Sequence, residues 1–118
     1  MLQRLPMFVF GTLRYGESNH HFLENRYDKR LPAELVGYVR VESELGYPMI
    51  DLSSEESVTG ELFFLSEACY DQTMTDIDEL ELLPPGEHVG EWYERQTVTV
   101  STLEGEFTAW VYVKPTHG

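Results

Sequence analysis

A glycine-containing turn after a short apolar run is the first place in the sequence where a ligand can meet the backbone. Residues 6–10 (PMFVF) predict a buried strand, and Gly11, Thr12 and Leu13 follow it directly. Glycine allows a sharp bend, and successive N–H groups in such a turn can form an anion-binding concavity. An ordinary loop has the same residue types, so the turn alone fits both a binding site and a simple connection.

The second candidate is an acidic side chain at the end of a helix predicted over residues 66–82. Three apolar residues at steps of four and three predict the core-facing stripe of this helix: Tyr70, Met74 and Ile77. Four residues further along that stripe lies Glu81, whereas Asp78 lies at its edge. Burial raises the pKa of a carboxyl group, which suits a group that accepts and returns a proton near neutral pH. The alternative is that the helix frays before Pro84 and that Glu81 reaches water.

The other reactive side chains follow no pattern of a metal or nucleophile site. The four histidines lack the spacing and the acidic partners of a metal centre, and no serine lies in a nucleophile-elbow motif. Cys69 is the only cysteine, so an intrachain disulfide is excluded, and its place beside Tyr70 predicts a small core residue. We therefore expect no metal site.

The elements that must position the turn and the acid are mainly β-strands. Five segments have strand composition: residues 6–10, 34–42, 57–65, 93–101 and 106–113, with a short extended stretch at 49–50. A short helix is predicted near residues 18–23, capped by Ser18 or Asn19, and a hairpin turn at 102–105. The acid-rich segment 87–91 predicts a flexible solvated loop. This order predicts an α+β fold, mostly antiparallel, rather than a βαβ repeat.

Composition and charge restrict the function classes. The 118 residues fit one domain, over 1–118, and 42% hydrophobic with 25% charged residues argue against a disordered chain. Eight basic against 21 acidic residues give a net charge of −13. We therefore expect no nucleic-acid partner and no anionic membrane surface as a partner, because both need basic groups. No signal-peptide pattern or long apolar run is recognisable, so we expect a cytoplasmic protein.

The turn and the acid together resemble the signature of a known family. Residues 9–23 (VFGTLRYGESNHHFL) resemble the amino-terminal motif of the gamma-glutamylcyclotransferase-like proteins, in which an aromatic residue, glycine, a small hydroxyl residue and leucine follow valine. Further matches follow in the expected order: GYPMI at 46–50, TGELFFL at 59–65, IDELE at 77–81, YERQTVTV at 93–100 and AWVYV at 109–113. The likeness spans nearly the whole chain and is greatest to the small gamma-glutamylamine cyclotransferase branch.

That resemblance implies a small mixed, mostly antiparallel β-barrel with flanking helices and assigns Glu81 as the catalytic acid/base. It implies that backbone donors of the glycine turn hold the glutamyl part of the substrate: Phe10, Gly11, Thr12 and Leu13. The family usually has tyrosine where this chain has Phe10, so a hydroxyl contact is lost there while backbone donation is not. Tyr93 is a further candidate for the pocket wall, with a core position as the alternative.

The implied reaction is an intramolecular acyl transfer on a small γ-glutamyl substrate. The α-amino group attacks its own γ-carbonyl, closes 5-oxoproline and expels an amine, and neither a metal nor an organic cofactor is required. The protein must fold the glutamyl chain into an attack geometry and move protons, which one carboxylate can do. The alternative function is a non-catalytic module on the same fold that binds γ-glutamyl compounds or amino acids. Such a module has no need of an inward-facing acid.

Overall fold

Five strands close into a barrel with one α-helix packed against its outside, in the part of the chain that the computed structural model describes: residues 4–11, 13–42, 48–84, 86–91 and 93–113. The regular elements are β1 (Met7–Val9), β2 (Tyr27–Glu42), β3 (Pro48–Leu65), α1 (Tyr70–Leu80), β4 (Glu94–Thr102) and β5 (Gly105–Val113). Two short 3-10 turns span His20–Phe22 and Glu67–Cys69.

The barrel has the strand order β1-β3-β2-β4-β5, and β1 closes it by pairing with β5. That closing pair is parallel, with Met7 opposite Trp110, and the other pairs are antiparallel. The prediction of a small, mixed and mostly antiparallel barrel in the α+β class is therefore confirmed.

The hairpin of β2 and β3 is longer than the sequence predicted. The predicted strand 34–42 begins at Tyr27, and the stretches predicted at 49–50 and 57–65 belong to one strand, β3. The residues between those two stretches have no apolar alternation, but the first two of them pair with β2: Asp51 lies opposite Val39, and Leu52 lies opposite Tyr38. Pairing with a long neighbour therefore extends the strand where local propensity is weak.

Alternation along β1 separates two buried clusters. Phe8 packs inside the barrel with apolar residues from all five strands, and Phe10, one residue beyond β1, joins it. Met7 and Val9 face the other way and pack with α1. A Cβ atom on Gly60 of β3 would lie 2.2 Å from the Val9 carbonyl oxygen, so only glycine allows β1 this close.

The predicted core-facing stripe of the long helix is confirmed. Tyr70, Met74 and Ile77 are all buried against the barrel. The helix is shorter than predicted, because Ser66 precedes a 3-10 turn and the α-helical part begins at Tyr70. The helix predicted near 18–23 was wrong in type. It is a single 3-10 turn after Asn19, which makes no side-chain cap, and so short a segment does not repay the cost of nucleating an α-helix.

Candidate active site

The end of α1 is a defined cap rather than a frayed turn. The N–H of Leu83 donates to the Asp78 carbonyl at 2.9 Å, and the N–H of Leu82 donates to the Glu79 carbonyl at 3.1 Å. Leu82 has φ of 62°, the left-handed conformation that glycine usually supplies at this position. This is a Schellman motif, and it fixes Glu81 as the last residue with near-helical backbone.

This cap holds Glu81 in a partly buried position. The alternative, in which the helix frays before Pro84 and Glu81 reaches water, is therefore wrong. Ile77, one turn earlier, and Leu83, two residues later, are both buried. Burial, and after it the nearby charge of Asp78, together raise the pKa of Glu81 from 4.5 to about 7. The carboxyl group therefore changes its protonation state near neutral pH.

Asp78 lies in a polar network that the sequence did not reveal. Its Oδ1 accepts a hydrogen bond from Arg95 Nε at 3.0 Å and another from the Tyr112 hydroxyl at 2.5 Å. Both donors are almost fully buried, and Arg95 also lies over the Trp110 ring at 4.9 Å. Burial raises the pKa of Tyr112, with the charge of Asp78 as the next cause, so the phenol stays protonated and donates.

In the glycine turn, side chains hold the carbonyl groups. Arg40 Nη1 donates to the Phe10 carbonyl at 3.1 Å, and Arg14 donates to the Gly11 carbonyl through both its N–H and its Nε. His20 Nδ1 lies 3.0 Å from the Leu13 carbonyl. Within the described ranges, the N–H groups of Gly11 and Leu13 donate to no protein acceptor. Among the described residues of the turn, the carbonyls of Phe10, Gly11 and Leu13 therefore have side-chain partners, whereas the amides of Gly11 and Leu13 have none.

The structure brings part of the predicted site together. Leu13 is buried in the same cluster as Ile77 and Leu83, which flank Glu81, and Tyr93 packs against that cluster from the start of β4. The side chain of Phe10 instead packs inside the barrel, in the other cluster. Thr12 lies outside the described residues.

The segment 86–91 is exposed in part, as predicted, but it is paired rather than a free loop. Val89 forms a β-bridge with Glu94, and the N–H of Arg95 donates to the His88 carbonyl at 2.8 Å. A groove of about 600 Å³ runs between this segment and the outer face of the barrel. It is lined by Gly86, His88, Glu94, Arg95, Gln96, Thr97 and Trp110.

Over the described parts of the chain, neither a metal-binding cluster nor a membrane-spanning helix is present. No group of three or more histidine, cysteine, aspartate or glutamate side chains is arranged to hold a metal ion. No helix there has the length and apolar character that crossing a membrane requires.

The structure combines a mixed β-barrel, a partly buried glutamate at the end of the helix and a glycine turn with two amides that lack a described partner. These three features define the class of protein, and known proteins with the same features give the family. The family described as gamma-glutamyl cyclotransferase, AIG2-like, matches residues 7–118. The chain belongs to this family.

Individual relatives agree with that membership. A Vibrio cholerae serotype O1 protein named "Putative gamma-glutamylcyclotransferase" is 32% identical over 114 residues, covering 91% of this chain and 79% of the relative. A Niallia circulans protein named gamma-L-glutamyl-butirosin B gamma-glutamyl cyclotransferase is 33% identical over 108 residues, covering 91% of this chain and 65% of the relative. Among solved structures, YkqA from Bacillus subtilis superposes with a TM-score of 0.69 at 25% identity, and the match covers 95% of this chain but 36% of YkqA.

Proposed function

We propose that this protein closes the glutamyl part of a γ-glutamyl amine or amino-acid derivative to 5-oxoproline and releases the free amine. The observation that carries the proposal is Glu81, a partly buried carboxyl group with a pKa of about 7 on a rigid helix end. A group that titrates near the working pH serves well as both base and acid. Family membership and a relative named for a gamma-L-glutamyl compound support the substrate class.

In the proposed reaction, Glu81 moves protons between two nitrogens of one substrate. It accepts a proton from the α-ammonium group, and the freed amine attacks the γ-carbonyl carbon. A carbon–nitrogen bond forms to the α-nitrogen, and the bond to the leaving nitrogen breaks. Glu81 returns this proton to the leaving nitrogen. The α-nitrogen loses a second proton on becoming the lactam N–H, and that proton also ends on the leaving nitrogen, which departs as an ammonium group. The reaction therefore balances without an oxidant or other co-reactant.

The glycine turn is assigned to the α-carboxylate of the substrate. The N–H groups of Gly11 and Leu13 are available to an anion, and Phe10 and Thr12 complete the turn. Leu13 packs in the same cluster as Ile77 and Leu83, which flank Glu81, and this shared cluster supports an assignment of the carboxylate near the proposed base. Tyr93, against the same cluster, is assigned to the pocket wall.

The leaving amine is proposed to be neutral or cationic. Glu87 and Glu91 are exposed on the segment after the helix, and Glu94 lines the groove beside it. The whole chain has a net charge of −13. These glutamates and that charge together favour a lysine-like or polyamine leaving group over an anionic peptide.

The test is an assay of 5-oxoproline release from a panel of γ-glutamyl amines, γ-glutamyl-lysine derivatives and peptides. We expect turnover with at least one of them and a fall of about 10²- to 10⁴-fold in Glu81→Gln, which keeps the size but not the titratable proton. Glu79→Gln is the matched control, because Glu79 is exposed on the same helix. Near wild-type turnover in folded Glu81→Gln would remove Glu81 from the mechanism. Binding of the whole panel without turnover would favour the binding-module alternative.

A further inference from the structure

Asp78 is anchored to the barrel wall from two strands. Arg95 on β4 and Tyr112 on β5 are directly opposite each other in the strand register, and both donate to the same oxygen, Asp78 Oδ1. The guanidinium group of Arg95 is in turn held over the Trp110 ring. A charge-assisted hydrogen bond and a buried phenol donor therefore hold this oxygen from two sides. The negative charge of Asp78 therefore has a fixed position.

That position is one helical turn before Glu81. Residues three apart on a helix have Cβ atoms about 5–6 Å from each other. In the part of the chain that the structure describes, the titratable and charged groups around Glu81 are Asp78 on α1, Tyr112 on β5 and, through Asp78, Arg95 on β4. Of these charges, Asp78 is the one that acts on Glu81 directly, and it adds to the effect of burial.

We propose that Asp78 is a positioning residue for Glu81: Arg95 and Tyr112 fix the Asp78 carboxylate one helical turn before Glu81, so that a negative charge is held beside the Glu81 carboxyl group. A carboxylate with a neighbouring negative charge binds a proton more tightly and is the better base for an ammonium group. The consequence for catalysis rests on the proposed function. The effect of Asp78 on proton binding by Glu81 does not depend on the proposed function, so the charge effect and the proposed function can be disproved separately.

The same helix supplies a matched control. Asp76, two residues earlier, binds Arg26 at 2.7 Å, a charge pair of the same type that also ties α1 to the rest of the fold. It is not among the groups that act on Glu81. Asp78→Asn and Asp76→Asn each remove one charge from an arginine–aspartate pair, but only the first removes the charge beside Glu81.

The experiment is a carboxyl ¹³C NMR titration of Glu81 in the wild type and in both variants, which needs no substrate. We expect the midpoint to fall by half a pH unit or more in Asp78→Asn and to stay in Asp76→Asn. Where a substrate is turned over, the acidic limb of kcat/KM should move down with it in Asp78→Asn and stay in Asp76→Asn. A purely structural clamp would lower thermal stability in both variants without moving either midpoint.

An unpaired Arg95 can prevent Asp78→Asn from folding, because breaking a buried ion pair leaves an uncompensated charge. The double variant Asp78→Asn/Arg95→Gln removes both charges and gives the second test. A lower Glu81 midpoint in this variant supports the proposal. An unchanged or higher midpoint in either folded variant overturns it. If the Glu81 midpoint is lower in the variant but the wild type turns over no γ-glutamyl compound, the effect of the Asp78 charge is supported and the proposed function is wrong.

Discussion

The carbonyl oxygen of Leu82 stands 2.9 Å from the point that a Cβ atom on Gly90 would occupy. The segment after the helix therefore lies directly on the backbone that follows Glu81. Gly90 is also held from its other side, since its N–H donates to the Tyr93 carbonyl at 2.8 Å. This contact connects the capped helix end to the start of β4, and it allows no side chain at position 90.

Gly90→Ala is expected to destabilise the protein by about 1–3 kcal/mol and to disturb the environment of Glu81. The obstacle is backbone rather than a flexible side-chain end, so the cap or the neighbouring segment must shift. Urea unfolding gives the change in stability, and the Glu81 titration midpoint shows whether the cap has moved. Wild-type stability together with a wild-type midpoint would mean that this contact does not hold the helix end.

Leu82→Gly is the control for that variant at the same contact. Leu82 is 65% exposed and has φ of 62°, so glycine relieves backbone strain there while little packing is lost. The greater freedom of glycine in the unfolded chain opposes that gain. We expect stability within about 1 kcal/mol of the wild type or slightly above it, and no change in the Glu81 midpoint.

The pKa of Glu81 predicts that stability falls as pH rises from about 4.5 to 7. The folded protein keeps the Glu81 proton up to about pH 7, whereas the unfolded chain loses it near 4.5. Unfolding in that window therefore releases a proton and becomes easier as pH rises, and the folded state has lost about 3 kcal/mol of stability once the window is passed. Glu81→Gln removes this cost, so the variant should be more stable than the wild type at pH 8 and closer to it at pH 5.

Urea unfolding at the two pH values measures this difference, with Glu79→Gln as the exposed control that should show no such change. An equal difference between Glu81→Gln and the wild type at both pH values would contradict a near-neutral Glu81. A gain in stability combined with a loss of turnover is the result expected where a buried acid serves function at the expense of folding.

Gly11→Val tests the glycine turn. The branched side chain adds bulk where the amides of Gly11 and Leu13 are available to a carboxylate. We expect affinity for 5-oxoproline or a non-reactive γ-glutamyl analogue to fall at least tenfold, measured by calorimetry on protein whose circular dichroism matches the wild type. Unchanged affinity in the folded variant would place the carboxylate elsewhere.

Short-range patterns predicted the parts of the fold and site that depend on local sequence. The steps of four and three from Tyr70 to Ile77 predicted both the buried face of α1 and the inward direction of Glu81. The partners of Asp78 could not be found in that way, because Arg95 and Tyr112 are 17 and 34 residues away along the chain. They meet Asp78 only because β4 and β5 pair in one particular register, and register is set by the whole barrel.

The last prediction concerns the charge of the leaving group. The net charge is −13, and Glu87, Glu91 and Glu94 follow the helix end along the chain, so the protein should attract a cationic γ-glutamyl amine and repel a dianionic peptide. Such fields act mainly on encounter and are screened over about 8 Å at physiological salt. We expect kcat/KM for a γ-glutamyl-lysine or polyamine derivative to exceed that for a glutathione-like peptide, with the ratio shrinking as salt rises to about 0.5 M. The triple variant with glutamine at positions 87, 91 and 94 should lower the ratio at low salt. A preference for the anionic peptide that salt does not change would defeat this electrostatic argument and leave the role of Glu81 untouched.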